Sequence, residues 1–194
     1  TYSASPSSVS HADSDKFYNS LMAVLEETID GTYADLDFTR IYGSGQSAGS
    51  MATQGFVRTN PEFYAAAAST SGLAVPDGTS QLPEGAGGAM PDFVITGQSD
   101  LDNLMPDLWG SEMANEWITY LFDVNNMPDA QIGTADDEHE FINDRTKVYT
   151  WENSDGVPMV KYGYTLLRAH NCSPYEMPIL WDFMEHFSFE KAED

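Results

Sequence analysis

The run Gly43-Ser44-Gly45-Gln46-Ser47-Ala48-Gly49-Ser50 constrains this chain more than any other stretch. A short β-prone run, Arg40-Ile41-Tyr42, precedes it, and Met51–Arg58 follows with helical character. A serine between two glycines therefore stands where a strand turns into a helix. A serine hydroxyl is a poor nucleophile at neutral pH; it needs a base for its proton and donors for the oxyanion that forms. A sharp strand-to-helix turn lifts the hydroxyl clear of the sheet and aims the first helical N–H groups at the reacting oxygen. Backbones crowd such a turn, so Gly45 and Gly49 are both expected to relieve contacts that side chains would create. Gly45-Gln46-Ser47-Ala48-Gly49 fits the nucleophile-elbow pattern G-x-S-x-G, with the Ala48 N–H as one oxyanion donor. The competing reading is a Gly-rich turn with an incidental serine. The strand–turn–helix context favours the elbow.

An elbow serine needs an acid and a histidine downstream, in that order. Asp100 follows the apolar strand Phe93-Val94-Ile95-Thr96 in Gly97-Gln98-Ser99-Asp100, at the carboxyl end where α/β sheets place their chemistry. Asp102 is its rival, and a surface aspartate in a turn is the plain alternative for either. Of the four histidines, His11 precedes the serine and His186 falls in the last helix. His139 lies in an acidic run that reads as a solvated face. A metal site from Asp137, His139 and Glu140 is conceivable but disfavoured; no metal and no cofactor are expected. His170 follows a strand ending near Leu167 and precedes the terminal helix, the place of a triad histidine. It is expected to be base to Ser47 and then acid to the leaving group, with Asp100 fixing its tautomer.

Hydrophobic spacing organises the rest. Phe17, Leu21, Val24, Leu25 and Thr28 predict a helix from about Asp13 to Ile29, capped by Asp13 or Ser14 and stopped at Gly31. Leu36–Tyr42 leads into a strand. Phe63–Ser69 suits helix or strand, residues 73–90 read as loop, and Ser111–Val124 reads as a helix. Lys147–Trp151 and Val157–Leu166 predict strands around the turn Asn153-Ser154-Asp155-Gly156. Pro174–Phe189 predicts a final helix with Ile179, Leu180, Phe183 and Phe187 on one face. The alternation implies an α/β layer fold with a mostly parallel sheet and flanking helices. Residues 1–12, rich in serine, read as a linker or trimmed end, leaving one domain over 13–194. Trp109, Trp117, Tyr120 and Trp151 suit either an aromatic or sugar site or the core, and the core reading is preferred; Met105 and Met113 are treated alike.

Composition excludes several partners. The 194 residues carry 31 acidic against 8 basic side chains, a net charge of −23, which repels nucleic acid and anionic membrane surfaces. No apolar run reaches the roughly 18 residues of a membrane span. Cys172 is the only cysteine, so no disulfide forms within the chain. No signal peptide is visible, but the chain begins at Thr1, so an upstream segment is expected to have been lost.

Leu36-Asp37-Phe38-Thr39-Arg40-Ile41-Tyr42 and the elbow after it resemble the polyhydroxybutyrate-depolymerase-like esterases of the α/β-hydrolase superfamily. Asp37, Arg40, Ile41 and Tyr42 fit that family's Asp-x-x-Arg-hydrophobic-Tyr lead-in. Pro91–Asp100 resembles its strand–Gly-x-x-Asp segment, which supports Asp100 over Asp102, and Ala169–Phe187 resembles its histidine loop and terminal helix. The likeness covers roughly 35–72, 91–100 and 165–189; residues 101–164 match less well. It implies an α/β-hydrolase fold, a serine carboxylester hydrolase with Ser47, Asp100 and His170 as its triad, a small or polymeric ester substrate and an extracellular or cell-surface place. The family includes polyester depolymerases, feruloyl esterases and acetyl xylan esterases. Two features depart from it. Only 46 residues precede Ser47, without a His-Gly-Gly motif, so the resemblance implies that 13–194 is the C-terminal part of an α/β-hydrolase catalytic domain, with the N-terminal strands and second oxyanion donor expected from an upstream segment or a second chain. Ser50 stands where the family often has glycine. A serine peptidase of the same superfamily and a non-catalytic binding module are the alternatives.

Overall fold

The computed structural model describes residues 11–74, 88–100, 112–133, 139–142 and 144–189. α1 runs His11–Val24 and continues into a π-helical turn, Leu25–Ile29. It starts two residues before the expected point, so Asp13 and Ser14 lie within the helix rather than at its cap. Residues 1–10 of the expected linker lie outside the described residues. Gly31 ends this segment at φ +65, in the left-handed region glycine occupies without steric cost.

Little of Leu36–Tyr42 is strand: β1 is Tyr42–Gly43 alone. The Asp37 carboxylate accepts from the Thr39 N–H at 3.0 Å and the Thr39 hydroxyl at 2.6 Å, and the Arg40 N–H reaches back to the Asp37 carbonyl. These local bonds turn the chain before it can extend. α2, Ala48–Thr59, follows directly.

The ambiguous stretch at 63–69 yields β2, Ala66–Thr70. Alanine by itself favours helix. Here parallel neighbours on both sides take up the backbone, and every residue of β2 is buried. The second neighbour is β3, Asp92–Gly97, which pairs in parallel with β6, Pro158–Thr165. β6 forms the expected antiparallel hairpin with β5, Thr146–Glu152. Its turn is closed by the Asn153 side chain, which accepts from the Asp155 and Val157 N–H groups. His139 and Glu140, at the end of the acidic run, open a further strand, β4, His139–Ile142, which pairs antiparallel with β5. Asp136 and Asp137 lie outside the described residues. Among the described residues six strands take the order β1-β2-β3-β6-β5-β4, and of these only β5 runs against the rest.

Two further helices complete the layers: α3, Glu112–Val124, and α4, Met177–Met184. α4 is half as long as expected. Beyond Met184 tertiary bonds take the chain: the Tyr42 hydroxyl donates to the Phe187 carbonyl at 2.8 Å, and the Phe189 N–H donates to the Thr39 carbonyl at 2.8 Å. Strand periodicity sorts the core onto two faces. Ala67 and Val94 pack with Val57, Trp117, Leu121 and Trp151 on one side. Ala66, Ala68, Phe93 and Ile95 pack with Leu180 and Phe183 of α4 on the other. Trp117 and Trp151 are fully buried and belong to the core, as preferred from the sequence. Tyr120 lies under the Arg58 guanidinium, and Met113 packs at the core's margin. Trp109 and Met105 lie outside the described residues. Among the described residues no helix is long and apolar enough to cross a membrane.

Asp92 opens β3 fully buried, and burial, partly offset by the nearby Arg58 charge, pushes its carboxyl up to about 7 from 3.8. Folding therefore takes up a proton between those values, so this group's stabilising contribution is complete below pH 4 and is lost as pH rises to about 7. The lost contribution amounts to at most about 4 kcal/mol. Urea unfolding from pH 4 to 8 will show this downward slope in the native protein relative to Asp92→Asn; parallel curves for the two would refute it.

Candidate active site

Ser47 joins β1 to α2 at φ 56 and ψ −120, a conformation non-glycine residues rarely adopt. Three backbone bonds hold it there. The Ser47 N–H donates to the Thr70 carbonyl at 2.9 Å, the Thr70 N–H to the Gly45 carbonyl at 2.9 Å, and the Gly49 N–H to the Gln46 carbonyl at 2.8 Å. The elbow is thus clamped between the end of β2 and the start of α2.

The two elbow glycines are not equivalent. A Cβ on Gly45 would stand 2.3 Å from the carbonyl carbon and oxygen of Gly49, so the backbone crossing excludes any side chain. Gly49 has open space where its Cβ would lie, and the expectation that it relieves crowding is corrected. It sits in the first turn of α2 beside a groove. The second crowded position is Gly72, where a Cβ would come within 2.4 Å of the Ser47 carbonyl oxygen. Ser50, the departure from the family pattern, is buried and donates to the Gly72 carbonyl at 2.7 Å. Gln54 joins the same carbonyl at 2.8 Å and accepts from the Ala74 N–H at 2.7 Å. These bonds tie α2 to the loop after β2.

Asp100 lies three residues beyond β3. Its N–H donates to the Gly97 carbonyl, while its Oδ2 accepts from the Gly97 N–H at 3.1 Å. The loop after β6 is laced to this turn. The Ser99 N–H donates to the Arg168 carbonyl at 2.8 Å, and the Leu167 N–H to the Gln98 side chain at 2.9 Å. The close approach leaves no room for a side chain at Gly97, whose Cβ would lie 2.2 Å from the Arg168 oxygen. The lacing carries His170 between the other two groups. His170 Nε2 stands 2.7 Å from Ser47 Oγ, and His170 Nδ1 stands 2.6 Å from Asp100 Oδ1. A carboxylate only accepts, so Nδ1 carries the ring hydrogen and Nε2 is left to accept the serine proton. The Ala48 N–H occupies the first position of α2, where a helix offers its N–H groups no internal acceptor.

The other candidates fall elsewhere. His186 is exposed beyond α4, and His11 and His139 belong to α1 and β4. Asp102 lies outside the described residues. Among the described residues no three His, Cys, Asp or Glu side chains gather as metal ligands. Three participants escape a reading by motif: Ser71, Arg168 and Glu176, which pack behind Asp100. The available signal is Arg168 itself, one of 8 basic residues and two positions from His170.

No protein-family model matches the chain, and no curated protein sequence matches it. Among solved structures, the acetyl xylan esterase from Aspergillus awamori superposes with a TM-score of 0.63 over 94% of this chain and 71% of its own, at 14% identity. The fold is α/β-hydrolase-like. β1 leads into the turn at Ser47, and among the described residues it forms one edge of the sheet. An apolar groove of about 710 Å³ opens beside it, lined among others by Leu21, Ile41, Phe56, Tyr64 and Trp181.

Proposed function

We propose that this chain is a serine hydrolase of carboxylic esters that works through an acyl-enzyme. The observation that carries the reading is the line of contacts from Ser47 Oγ through His170 to Asp100, at 2.7 and 2.6 Å, with the serine on a strained turn at a helix N-terminus. His170 Nε2 takes the Ser47 proton as Oγ attacks the ester carbonyl carbon. The oxyanion that forms faces the Ala48 N–H at the start of α2. Asp100 stabilises the imidazolium and holds the ring. The imidazolium then protonates the departing alcohol and leaves Ser47 acylated. Water, losing its proton to His170, attacks the acyl carbon, and the acid leaves as the serine proton returns. The acetyl xylan esterase likeness supports esters as the substrate class. We extend the proposal to the sheet edge: a further strand, from upstream sequence or a second chain, seats on β1 and brings the second oxyanion donor.

Fluorophosphonate labelling tests this reading, with the adduct located by mass spectrometry and Ser47→Ala as control. Labelling at Ser47 with turnover of short-chain esters is expected. Faster turnover of peptides assigns a peptidase. Labelling that needs added upstream sequence supports the completing strand. No labelling in any form leaves a binding module and refutes the enzyme reading.

A further inference from the structure

Resting on the triad proposed above, we infer that Ser71, Arg168 and Glu176 form a positioning relay that aims Asp100 at His170. The Asp100 side chain has no solvent contact. Its Oδ1 faces His170, and its Oδ2 accepts from the Gly97 N–H and, at 2.7 Å, from the Ser71 hydroxyl. Ser71 follows β2, buried, at φ +55. Arg168 Nη1 donates to Ser71 Oγ at 2.7 Å, and its Nη2 donates to the Ile95 carbonyl at 2.9 Å. Arg168 Nε forms an ion pair with Glu176 Oε1 at 2.6 Å. Glu176 is wholly buried and accepts from the Thr165 hydroxyl at 2.5 Å and the Ser173 N–H at 2.9 Å.

Donor arithmetic gives this chain a direction. A guanidinium donates and never accepts. Ser71 Oγ must therefore accept from Arg168, which leaves its single hydrogen for an outward bond. Asp100 Oδ2 at 2.7 Å takes it in preference to the Asn171 carbonyl at 3.2 Å. With Oδ2 engaged by two donors, the carboxylate is turned so that Oδ1 meets His170 Nδ1. Charge adds a second effect. Arg168 lies between Asp100 and Glu176, so the buried set carries one net negative charge at rest. Counted together with His170, it becomes neutral when the imidazole takes the serine proton. Glu176 thus keeps Arg168 from cancelling the field of Asp100 on the imidazole. Such fixed charges act strongly where water is excluded and need no reorganisation during reaction. None of the three touches the reacting atoms.

Two substitutions at Ser71 separate positioning from structural support. Ser71→Gly suits φ +55 and deletes the hydroxyl, whereas Ser71→Thr keeps the hydroxyl and is strained there by its β-branch. The relay predicts that Ser71→Gly loses about tenfold to hundredfold in kcat, the worth of one hydrogen bond to a charged group, with KM little changed, and its melting temperature is set by relieved backbone strain against two buried charged groups each left one bond short. Ser71→Thr is expected to melt earlier than the native protein and retain more kcat than Ser71→Gly. A substrate-free readout accompanies them: the far-downfield proton resonance of His170 Nδ1–H, which is expected to shift in Ser71→Gly. Should kcat simply follow melting temperature across both variants, with that resonance unmoved, the relay is overturned. If Ser71→Thr does not fold, Ser71→Gly alone decides, by its kcat and its proton signal. A native protein that neither labels at Ser47 nor turns over esters defeats the triad reading instead, and the proton signal still decides the relay.

Discussion

Ser47→Ala is expected to lower kcat on p-nitrophenyl acetate by about 10⁴- to 10⁶-fold, and His170→Ala to do the same. The expectation follows from the geometry of a single proton path. Without Oγ nothing attacks the carbonyl; without Nε2 nothing takes the proton that makes Oγ a nucleophile. Because the two groups act as a unit, the double variant loses no more than either single variant. Asp100→Asn leaves the shape but presents a donor where Nδ1–H needs an acceptor, and about 10⁴-fold is expected to vanish with it. Folding is spared in the serine variant, since alanine meets the same φ of 56 with one polar atom fewer. Circular dichroism and melting curves check this beside the kinetics. Additive losses in the double variant, or a Ser47→Ala enzyme within tenfold of native, would mean that chemistry occurs elsewhere.

Gly45→Ala and Gly49→Ala each add one methyl group and are expected to diverge sharply. At Gly45 the new Cβ meets Gly49 backbone atoms at 2.3 Å, far inside contact distance. Neither partner is a flexible side chain, so α2 must move away from β1. That shift breaks the clamp on Ser47 and separates Oγ from His170, and misplacement by about 1 Å costs on the order of 10²-fold in rate. Overpacking of this kind also removes about 1–3 kcal/mol of stability. Gly49→Ala places its Cβ in open space on a helix, where alanine is preferred over glycine by up to about 1 kcal/mol. Denaturant unfolding of the pair, with kcat on the same ester, measures both effects. Equal behaviour of the two variants would show that the elbow does not cross itself as described.

Much of the site was legible before the fold, because its signals are local. The crossing at Gly45, the strand ahead of Ser47 and the helix after it lie within one short run. Asp100 and His170 each follow a strand whose composition marks it. What the sequence could not rank was the space around each residue. Gly49 looked as constrained as Gly45, and the difference lies in which backbone passes behind it. Ser71 belongs to no motif that the sequence displays. Its hydroxyl gains a role only because Arg168, 97 positions later, arrives beside it.

The secondary structure divides along the same line. The hairpin turn at 153–156 and the stop at Gly31 follow from Asn and Gly chemistry, which neighbours in sequence suffice to express. The strand at 66–70, the edge strand at 139–142 and the early end of α4 do not. An alanine-rich run and the end of an acidic one become strands when a neighbouring strand offers its backbone groups, and α4 ends where Tyr42 and Thr39 capture the chain. The sequence by itself therefore determined an elbow serine, an acid and a histidine in order on an alternating α/β chain. The tertiary structure alone decided which backbones pair and which buried groups stand behind the acid, because those bonds join residues that only folding brings within 3 Å.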